Sequence, residues 1–189
     1  IPYKESVLPL LDDISQQAKY IGAVNTILFK NGTAKGFNTD YNGFISLLDH
    51  NNITVKGKGA IILGSGGVAK AVVKALLDLG IYDLTIVSRG KQNFHGNYTV
   101  SYEFFKEANC RSDLLINCTP VGMYPNVEAS PIPKECIKAD VVIDTIYNPS
   151  KTLLLQYAEE LGIKAINGSL MLKEQALKSQ EIWADSDAF

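Results

Sequence analysis

Histidine and cysteine are scarce in this chain, which has two histidines (His50 and His95) and three cysteines among 189 residues. The cysteines, Cys110, Cys118 and Cys136, are odd in number and do not have the spacing of metal ligands. This scarcity argues against a metal site. We expect three buried, reduced thiols in a cytoplasmic protein.

An excess of charge of one sign and long apolar runs are also absent. The 18 basic and 20 acidic residues give a net charge of −2 and a pI near 5.7. This balance provides no basic surface of the kind that binds nucleic acid. Because no apolar run reaches the length of a membrane span and no secretory signal is present, we expect neither a membrane protein nor a secreted one.

A glycine-rich turn follows a short apolar run at residues 60–63. Gly64, Gly66 and Ala69 occupy the positions of the dinucleotide-binding pattern G-x-G-x-x-G/A. Gly64 permits a tight turn, and Gly66 lets the backbone approach a pyrophosphate. The N-terminus of the helix that follows supplies free N–H groups for an anion.

The context of this turn is a complete βαβ unit, with a helix at 69–79 and a second strand at 84–87. An ordinary strand-to-helix turn is the alternative interpretation. The second strand ends in Ser88 and Arg89 rather than in the acidic residue that binds the ribose of NAD. A guanidinium fits a 2′-phosphate, so these residues favour NADP, although a solvated surface pair of Arg89 and Lys91 is the alternative.

The remaining elements predict an α/β fold with two lobes. Apolar runs separated by helices indicate a parallel sheet that is covered on both faces. The predicted strands are 23–30, 34–38, 113–117, 141–145 and 164–166, and the predicted helices are 5–20, 40–48, 151–161 and 170–183. Asn31 and Gly32 predict a hairpin turn between the first two strands.

The expected fold is a doubly wound, Rossmann-type NADP domain with a partial α/β substrate domain. Residues 1–40 would be the remnant of an N-terminal substrate-binding domain, and 41–166 would be the NADP domain. Residues 167–189 would be a helical segment that returns to the substrate domain. The chain begins without an initiator methionine, so we expect either a fragment or a longer protein whose first part is not represented.

Polar residues lie where the later strands end, around Asn117, Asp144 and Asn167. Ligands bind outside the carboxyl ends of parallel strands, so these ends predict a cleft, although ordinary turn and capping chemistry is the alternative. Hydride transfer to a carbonyl also requires a proton donor. Lys4 with a nearby carboxylate, Asp40, could supply it, but most lysines are solvated surface groups.

Seven ordered motifs make the chain similar to the shikimate dehydrogenase family. They are I-P-Y-K-E at 1–5, I-G-A-V-N-T at 21–26, G-F-N-T-D at 36–40, the turn at 64–69, N-C-T-P-V-G-M at 117–123, D-x-x-Y-x-P at 144–149, and N-G at 167–168 with Met171 and Gln175. The resemblance implies NADPH-dependent reduction of 3-dehydroshikimate to shikimate, with a cytoplasmic monomer or homodimer acting on a small-molecule substrate. Quinate or quinate/shikimate dehydrogenase is the alternative, and a non-catalytic NADP-binding fragment is another.

The resemblance also assigns roles to individual residues. Lys4 would be the catalytic acid/base, paired with Asp40. The substrate would be held by Lys4, Asn25, Asp40, Tyr147 and Gln175. The cofactor would be held by Gly64, Ser65, Gly66, Gly67, Val68, Ser88, Arg89, Thr119, Thr145 and Gly168, and no metal is expected.

The chain departs from the family pattern at three places. Ser88 and Gly90 flank Arg89 where the family has N-R-T, so we expect weaker side-chain contacts to the 2′-phosphate. Leu170 replaces a glycine and would crowd the nicotinamide side. Family members carry roughly one third more chain at the N-terminus, in line with a two-domain length, including two serines for the substrate carboxylate.

Overall fold

A computed structural model describes residues 3–90 and 97–185; Ile1, Pro2, Lys91 and His95 lie outside these ranges. Within them the strands are β1 Asp13–Ile14, β2 Thr26–Lys30, β3 Thr33–Phe37, β4 Gly59–Leu63, β5 Asp83–Val87, β6 Tyr98–Val100, β7 Ser112–Asn117, β8 Ala139–Asp144 and β9 Lys164–Ile166. The α-helices are α1 Gln16–Ile21, α2 Asp40–His50, α3 Gly67–Asp78, α4 Tyr102–Ala108, α5 Leu153–Glu160 and α6 Ser169–Ala184. Short 3₁₀ helices cover Leu8–Leu10 and Lys134–Cys136.

The chain forms two compact units. The first comprises Ile1–Thr54, Lys70–Asp78 and Leu170–Phe189, and the second comprises Val55–Ala69 and Leu79–Ser169. The first unit includes α2 and most of α3, whereas both helices were predicted to lie in the NADP domain. The division at 1–40, 41–166 and 167–189 stays a prediction about functional domains.

The first unit contains a three-stranded sheet in the order β1-β3-β2. Strands β2 and β3 form the predicted antiparallel hairpin, and β1 runs parallel to β3. Asn31 and Gly32 both have positive φ, 52° and 78°, as the two-residue Asn-Gly turn requires. The predicted hairpin is therefore confirmed.

The single helix expected at 5–20 is wrong. The segment instead forms the Leu8–Leu10 3₁₀ helix, β1 and the six-residue α1. Asp12 pairs with β3, because its backbone N–H donates to the Ala34 carbonyl and its carboxylate accepts from the Ala34 N–H. The helix then begins after Ser15, whose Oγ accepts from the Ala18 N–H at 3.2 Å.

The second unit contains a six-stranded, fully parallel sheet in the order β6-β5-β4-β7-β8-β9. Counted from β4, this is the 3-2-1-4-5-6 order of the dinucleotide-binding fold. One core cluster joins inward-facing strand residues to α4 through Phe105 and to α5 through Leu154 and Leu155. The predicted Rossmann-type α/β class is confirmed, although β6 and α4 were not predicted.

The three cysteines are free, as expected, but they are not buried. Cys110 is exposed, and Cys118 and Cys136 are partly buried. No helix within residues 3–90 and 97–185 is long and apolar enough to cross a membrane.

Candidate active site

Lys4 and Asp40 form an ion pair in the first unit. Lys4 Nζ donates to Asp40 Oδ2 at 2.5 Å, and the two side chains are 22% and 9% exposed. The Lys4 carbonyl accepts from the Val24 N–H at 2.7 Å, which ties this segment to the chain just before β2. Periodicity could not predict the pairing, because 36 residues separate the two side chains in the sequence.

Asn25 holds the other carboxylate oxygen of Asp40. Its Nδ2 donates to Asp40 Oδ1 at 3.1 Å, and its Oδ1 accepts from the Thr39 backbone N–H at 2.9 Å. A backbone N–H can only donate and an ionised carboxylate can only accept, so these two contacts fix the orientation of the Asn25 amide. Asp40 is thus held on both oxygens, by one charged and one neutral donor.

Gln175 reaches this group from α6. Its Oε1 accepts from Thr39 Oγ1 at 3.2 Å, and its Nε2 donates to the Leu172 carbonyl at 3.1 Å. The approach depends on Gly43, where a Cβ would lie 2.5 Å from the Met171 carbonyl oxygen. A glycine in α2 therefore lets α6 come close enough for Gln175 to contact the start of α2.

Three buried hydroxyls complete the network, and none of them is among the predicted site residues. Thr26, Thr39 and Ser179 are 2%, 0% and 6% exposed. Thr26 and Thr39 belong to the motifs V-N-T and N-T-D, but their roles were not inferred. Ser179 could have been found from its spacing, because a residue four after Gln175 lies on the same face of a helix.

A cleft of about 660 Å³ lies in the second unit, at the carboxyl ends of β4, β5 and β7. It is lined by six of the predicted cofactor residues, Gly64, Ser65, Gly66, Ser88, Arg89 and Thr119. The predicted residues Gly67 and Val68 begin α3. The glycine turn and the open end of the sheet therefore meet where the sequence predicted a dinucleotide site.

The glycine turn has the shape that a pyrophosphate requires. Gly64 has φ +103°, and a Cβ there would lie 2.9 Å from Thr119 Cγ2. Both the backbone conformation and this contact therefore exclude a larger residue. Apart from Gly66 and its two chain neighbours, no described atom lies within 4 Å of a Cβ built on Gly66, so this part of the turn faces open space. The residues present fit a dinucleotide, with free space at the turn and a helix N-terminus beyond it.

The lining of this cleft also carries hydroxyls and cations. Ser65 Oγ and Ser88 Oγ are 2.8 Å apart, and Arg89 and Lys106 contribute positive charge to the lining. Burial raises the pKa of Tyr102, and the positive charge of Arg89 acts in the opposite direction. These side chains are donors of the kind that a 2′-phosphate would need, although Glu103 also lines the cleft.

Thr145 and Gly168 lie beside each other past the ends of β8 and β9. A Cβ on Gly168 would fall 2.1 Å from the Thr145 carbonyl oxygen, and the Gly168 N–H donates to the Ile146 carbonyl at 2.9 Å. Tyr147 follows in the same loop with 46% of its surface exposed. Tyr147 belongs to the second unit, whereas the other four predicted substrate residues belong to the first.

A buried carboxyl supports this loop. Asp144 accepts hydrogen bonds from Asn117 Nδ2, the Ile146 N–H and Thr152 Oγ1, at 3.0, 3.1 and 2.6 Å. Burial raises its pKa to about 6, and the three donors act in the opposite direction. In the described part of the chain, no group of three or more His, Cys, Asp or Glu could hold a metal ion.

The fold and the glycine-turn cleft define a dinucleotide-binding protein of the Rossmann type, with a separate lysine–carboxylate group in its other unit. A family model described as shikimate dehydrogenase substrate binding domain matches residues 1–27. The shikimate dehydrogenase (NADP(+)) of Clostridium perfringens is 41% identical over 97% of this chain and 70% of its own length. That of Clostridium beijerinckii is 42% identical, over 98% and 70%.

Solved structures give the same result. Shikimate dehydrogenase 1 from Peptoclostridium difficile superposes with a TM-score of 0.90 and 45% identity, over 99% of this chain and 70% of that one. Shikimate 5-dehydrogenase from Thermus thermophilus, in complex with NADP(H) and shikimate, superposes with a TM-score of 0.86 and 35% identity, over 97% and 70%. The chain belongs to the shikimate dehydrogenase family.

Proposed function

We propose that this protein catalyses the reversible, NADP-dependent reduction of 3-dehydroshikimate to shikimate, a reaction of aromatic amino-acid and chorismate biosynthesis. The main support is the Lys4–Asp40 ion pair, in which Asp40 also accepts a hydrogen bond from Asn25. The same chain contains the cleft that fits a dinucleotide. The ligands named for the Thermus thermophilus structure, NADP(H) and shikimate, support the same reaction.

The cofactor residues fall into three groups. When bound, NADPH supplies the hydride. Gly64, Ser65, Gly66, Gly67 and Val68 would hold the pyrophosphate through backbone N–H groups, and Ser88 and Arg89 would hold the 2′-phosphate. Thr119 would line the same cleft, and Thr145 and Gly168 would flank the nicotinamide.

Lys4 is assigned to the proton that accompanies the hydride. Hydride addition to the substrate carbonyl carbon leaves an alkoxide, and the Lys4 ammonium donates a proton to that oxygen to form the hydroxyl. Solvent then restores the proton to Lys4, and oxidation of shikimate runs through the same steps in reverse. Asp40 accepts the hydrogen bond that holds Lys4 Nζ in place.

The polar groups around Lys4 are assigned to the substrate ring. Asn25, Asp40 and Gln175 would bind its hydroxyls, since amides offer both donors and acceptors and an ionised carboxylate offers acceptors. Tyr147 of the second unit, whose phenol can donate and accept, stays a predicted substrate residue. Oxidation of quinate, a related ring acid, is the alternative that these contacts leave open. A monomeric or homodimeric state and a cytoplasmic location stay predictions.

The assay that tests this function follows NADPH absorbance with the protein in its full natural length. Shikimate and quinate are each offered with NADP and with NAD, and we expect turnover with shikimate and NADP. Higher kcat/KM with quinate would favour the alternative. No reduction of NADP with either acid would make the chain a non-catalytic NADP-binding protein and overturn the proposal.

Lys4→Ala tests the proton donor in the same assay. We expect turnover to fall by about a hundredfold or more, the usual scale for a general acid, with little change in the KM for NADP. Lys134→Ala is a matched control, because it removes an exposed lysine that pairs with a carboxylate, Glu160. Unchanged turnover in Lys4→Ala would overturn the assignment of Lys4.

A further inference from the structure

Thr39 occupies the N-cap position of α2 without acting as a cap. Threonine usually accepts a helical N–H at this position, yet within the described residues the Thr39 side chain caps no such group. The Asp40 N–H is instead taken by Asn38 Oδ1 at 3.1 Å. The fully buried Thr39 hydroxyl is therefore available for contacts other than helix capping.

The Thr39 hydroxyl joins the two amides that are assigned to the substrate. Thr39 Oγ1 lies 3.2 Å from Gln175 Oε1 and 3.2 Å from Asn25 Oδ1. Both partners are amide oxygens, because each amide nitrogen is already committed to an acceptor. Toward these two oxygens the hydroxyl must therefore donate, and Ser179 Oγ, also 3.2 Å away, is a third acceptor for its single proton.

Of the two amide oxygens, Gln175 Oε1 depends more on the Thr39 hydroxyl, because Asn25 Oδ1 has other donors. Asn25 Oδ1 also receives the Thr39 backbone N–H at 2.9 Å and lies 3.1 Å from Thr26 Oγ1. Gln175 Oε1 has Thr39 Oγ1 as the donor that this network provides. Loss of the hydroxyl would therefore leave Asn25 oriented and remove this donor from the Gln175 amide oxygen, while the amide nitrogen keeps its contact to the Leu172 carbonyl.

Ser179 supports Thr39 from one turn further along α6. Its Oγ lies 3.2 Å from Thr39 Oγ1 and 2.7 Å from Thr26 Oγ1, and it donates to the Gln175 carbonyl at 2.9 Å. These contacts fix the position of the Thr39 oxygen relative to α6. The hydroxyl group and the glutamine that it orients thus belong to one buried network.

We propose that Thr39, supported by Ser179, is a positioning residue that sets the Gln175 amide for binding of the substrate ring. The inference rests on the proposed function. Thr39 acts through Gln175, so its loss weakens substrate binding and leaves the Lys4–Asp40 pair and the cofactor cleft in place. The resulting defect lies in the KM for shikimate.

The test compares Thr39→Val with Thr39→Ser. Valine keeps the shape and removes the hydroxyl, and we expect the KM for shikimate to rise about tenfold, the effect of one lost hydrogen bond, with an unchanged KM for NADP. Serine keeps the hydroxyl, so the KM for shikimate should stay within about twofold of the wild-type value, a smaller change than the loss of one hydrogen bond would give. Thr33→Val, a threonine of β3 in the same unit, is the matched control.

A double-mutant cycle with Gln175→Ala separates positioning from a structural role. If Thr39 acts through Gln175, Thr39→Val should raise the KM no further in the Gln175→Ala background. Ser179→Ala is the second variant, for the case in which Thr39→Val does not fold, because alanine is favourable in a helix. We expect it to raise the KM for shikimate about threefold, which corresponds to a fraction of one hydrogen bond.

The outcomes distinguish two failures. Wild-type protein that does not oxidise shikimate overturns the proposed function and this inference with it. Wild-type turnover with an unchanged KM in Thr39→Val, or in Ser179→Ala where Thr39→Val does not fold, overturns the positioning role alone. An additive effect of Thr39→Val and Gln175→Ala would also overturn it.

Discussion

Asp144 is a buried carboxyl whose named partners are all neutral donors. Desolvation favours its protonated form, and the donors from Asn117, Ile146 and Thr152 offset this effect only in part. Its pKa lies at about 6, against an ordinary value of 3.8. Between these values the folded state binds more protons than the unfolded state, so the free energy of unfolding falls as pH rises.

Asp144→Asn should remove this pH dependence. The asparagine can keep its Oδ1 contacts to Asn117 and Ile146, and its Nδ2 can donate to Thr152 Oγ1. Relative to wild type, we expect the variant to gain up to about 3 kcal/mol of stability between pH 4 and pH 7.5, from two pKa units at about 1.4 kcal/mol each.

Urea unfolding at several pH values measures this effect. Asp140→Asn is the control, because Asp140 is an exposed carboxylate on the same strand and pairs with Arg111. Parallel stability curves for wild type and Asp144→Asn across this pH range would contradict the prediction.

Single functional residues could be predicted where a short sequence pattern marks them, but not where their role depends on contacts between distant parts of the chain. Gly64 and Gly66 follow from the pattern of the turn itself. Ser179 shares a helix face with the predicted residue Gln175, but it contacts Thr39 across 140 positions, and no periodicity could join those two. Their role depends on where α6 returns to the start of α2.

The contact between α2 and α6 sets the geometry of the first unit's polar group. Gly43 faces the Met171 carbonyl and the backbone of Gln175, so these two helices approach without an intervening side chain. The approach places Gln175 within hydrogen-bond distance of Thr39. One glycine thereby determines the position of a residue that is 132 places later in the sequence.

Gly43→Ala should separate these helices and weaken substrate binding. The added Cβ would lie 2.5 Å from a backbone oxygen, so α6 must shift. We expect a loss of about 1–3 kcal/mol in stability and about a tenfold rise in the KM for shikimate. Helix propensity alone predicts the opposite sign, because alanine stabilises a helix interior relative to glycine by about 1 kcal/mol.

Chemical denaturation and the shikimate assay together measure this effect. Ser46→Ala, one turn further along α2, is the control and should leave the KM unchanged. A more stable Gly43→Ala variant with unchanged KM would show that the helices tolerate the methyl group.

The sheet of the second unit was predictable, and the N-terminal segment was not. The central strands of the sheet are continuous apolar runs that end at polar turns, and such runs are typical of buried parallel strands. Strand β6 has three residues, too few for a pattern, whereas α4 could have been found from Ser101, which caps it. The helix expected at 5–20 failed because β1 pairs with a strand 22 residues later.

The distribution of functional groups between the two units is a property of the whole molecule. The lysine–carboxylate group belongs to the first unit and the dinucleotide cleft to the second. The boundaries of the two units could not be predicted from the sequence, because residues 70–78 and 170–189 belong to the first unit through contacts with residues that are distant in the chain. Composition does not change at either of these points in the chain.

Arg89→Leu should therefore alter cofactor constants and spare substrate constants. A lost charge-assisted hydrogen bond corresponds to about 1.5–3 kcal/mol, so we expect the KM for NADP to rise about ten- to hundredfold. The KM for NAD, which has no 2′-phosphate, should stay within about twofold, since no charge-assisted bond is lost there. The KM for shikimate should also be unchanged, because the polar group of Lys4, Asn25, Asp40 and Gln175 lies in the other unit.

Arg111→Leu is the matched control for this change. The chain has two arginines, and Arg111 forms an exposed pair with Asp140 instead of lining the cofactor cleft. Steady-state kinetics with both cofactors should give wild-type constants for Arg111→Leu. Equal rises in the KM for NADP and NAD in Arg89→Leu would mean that Arg89 contacts a part common to both cofactors. The NADP preference would then have to come from Ser65, Ser88 and Lys106, which line the same cleft.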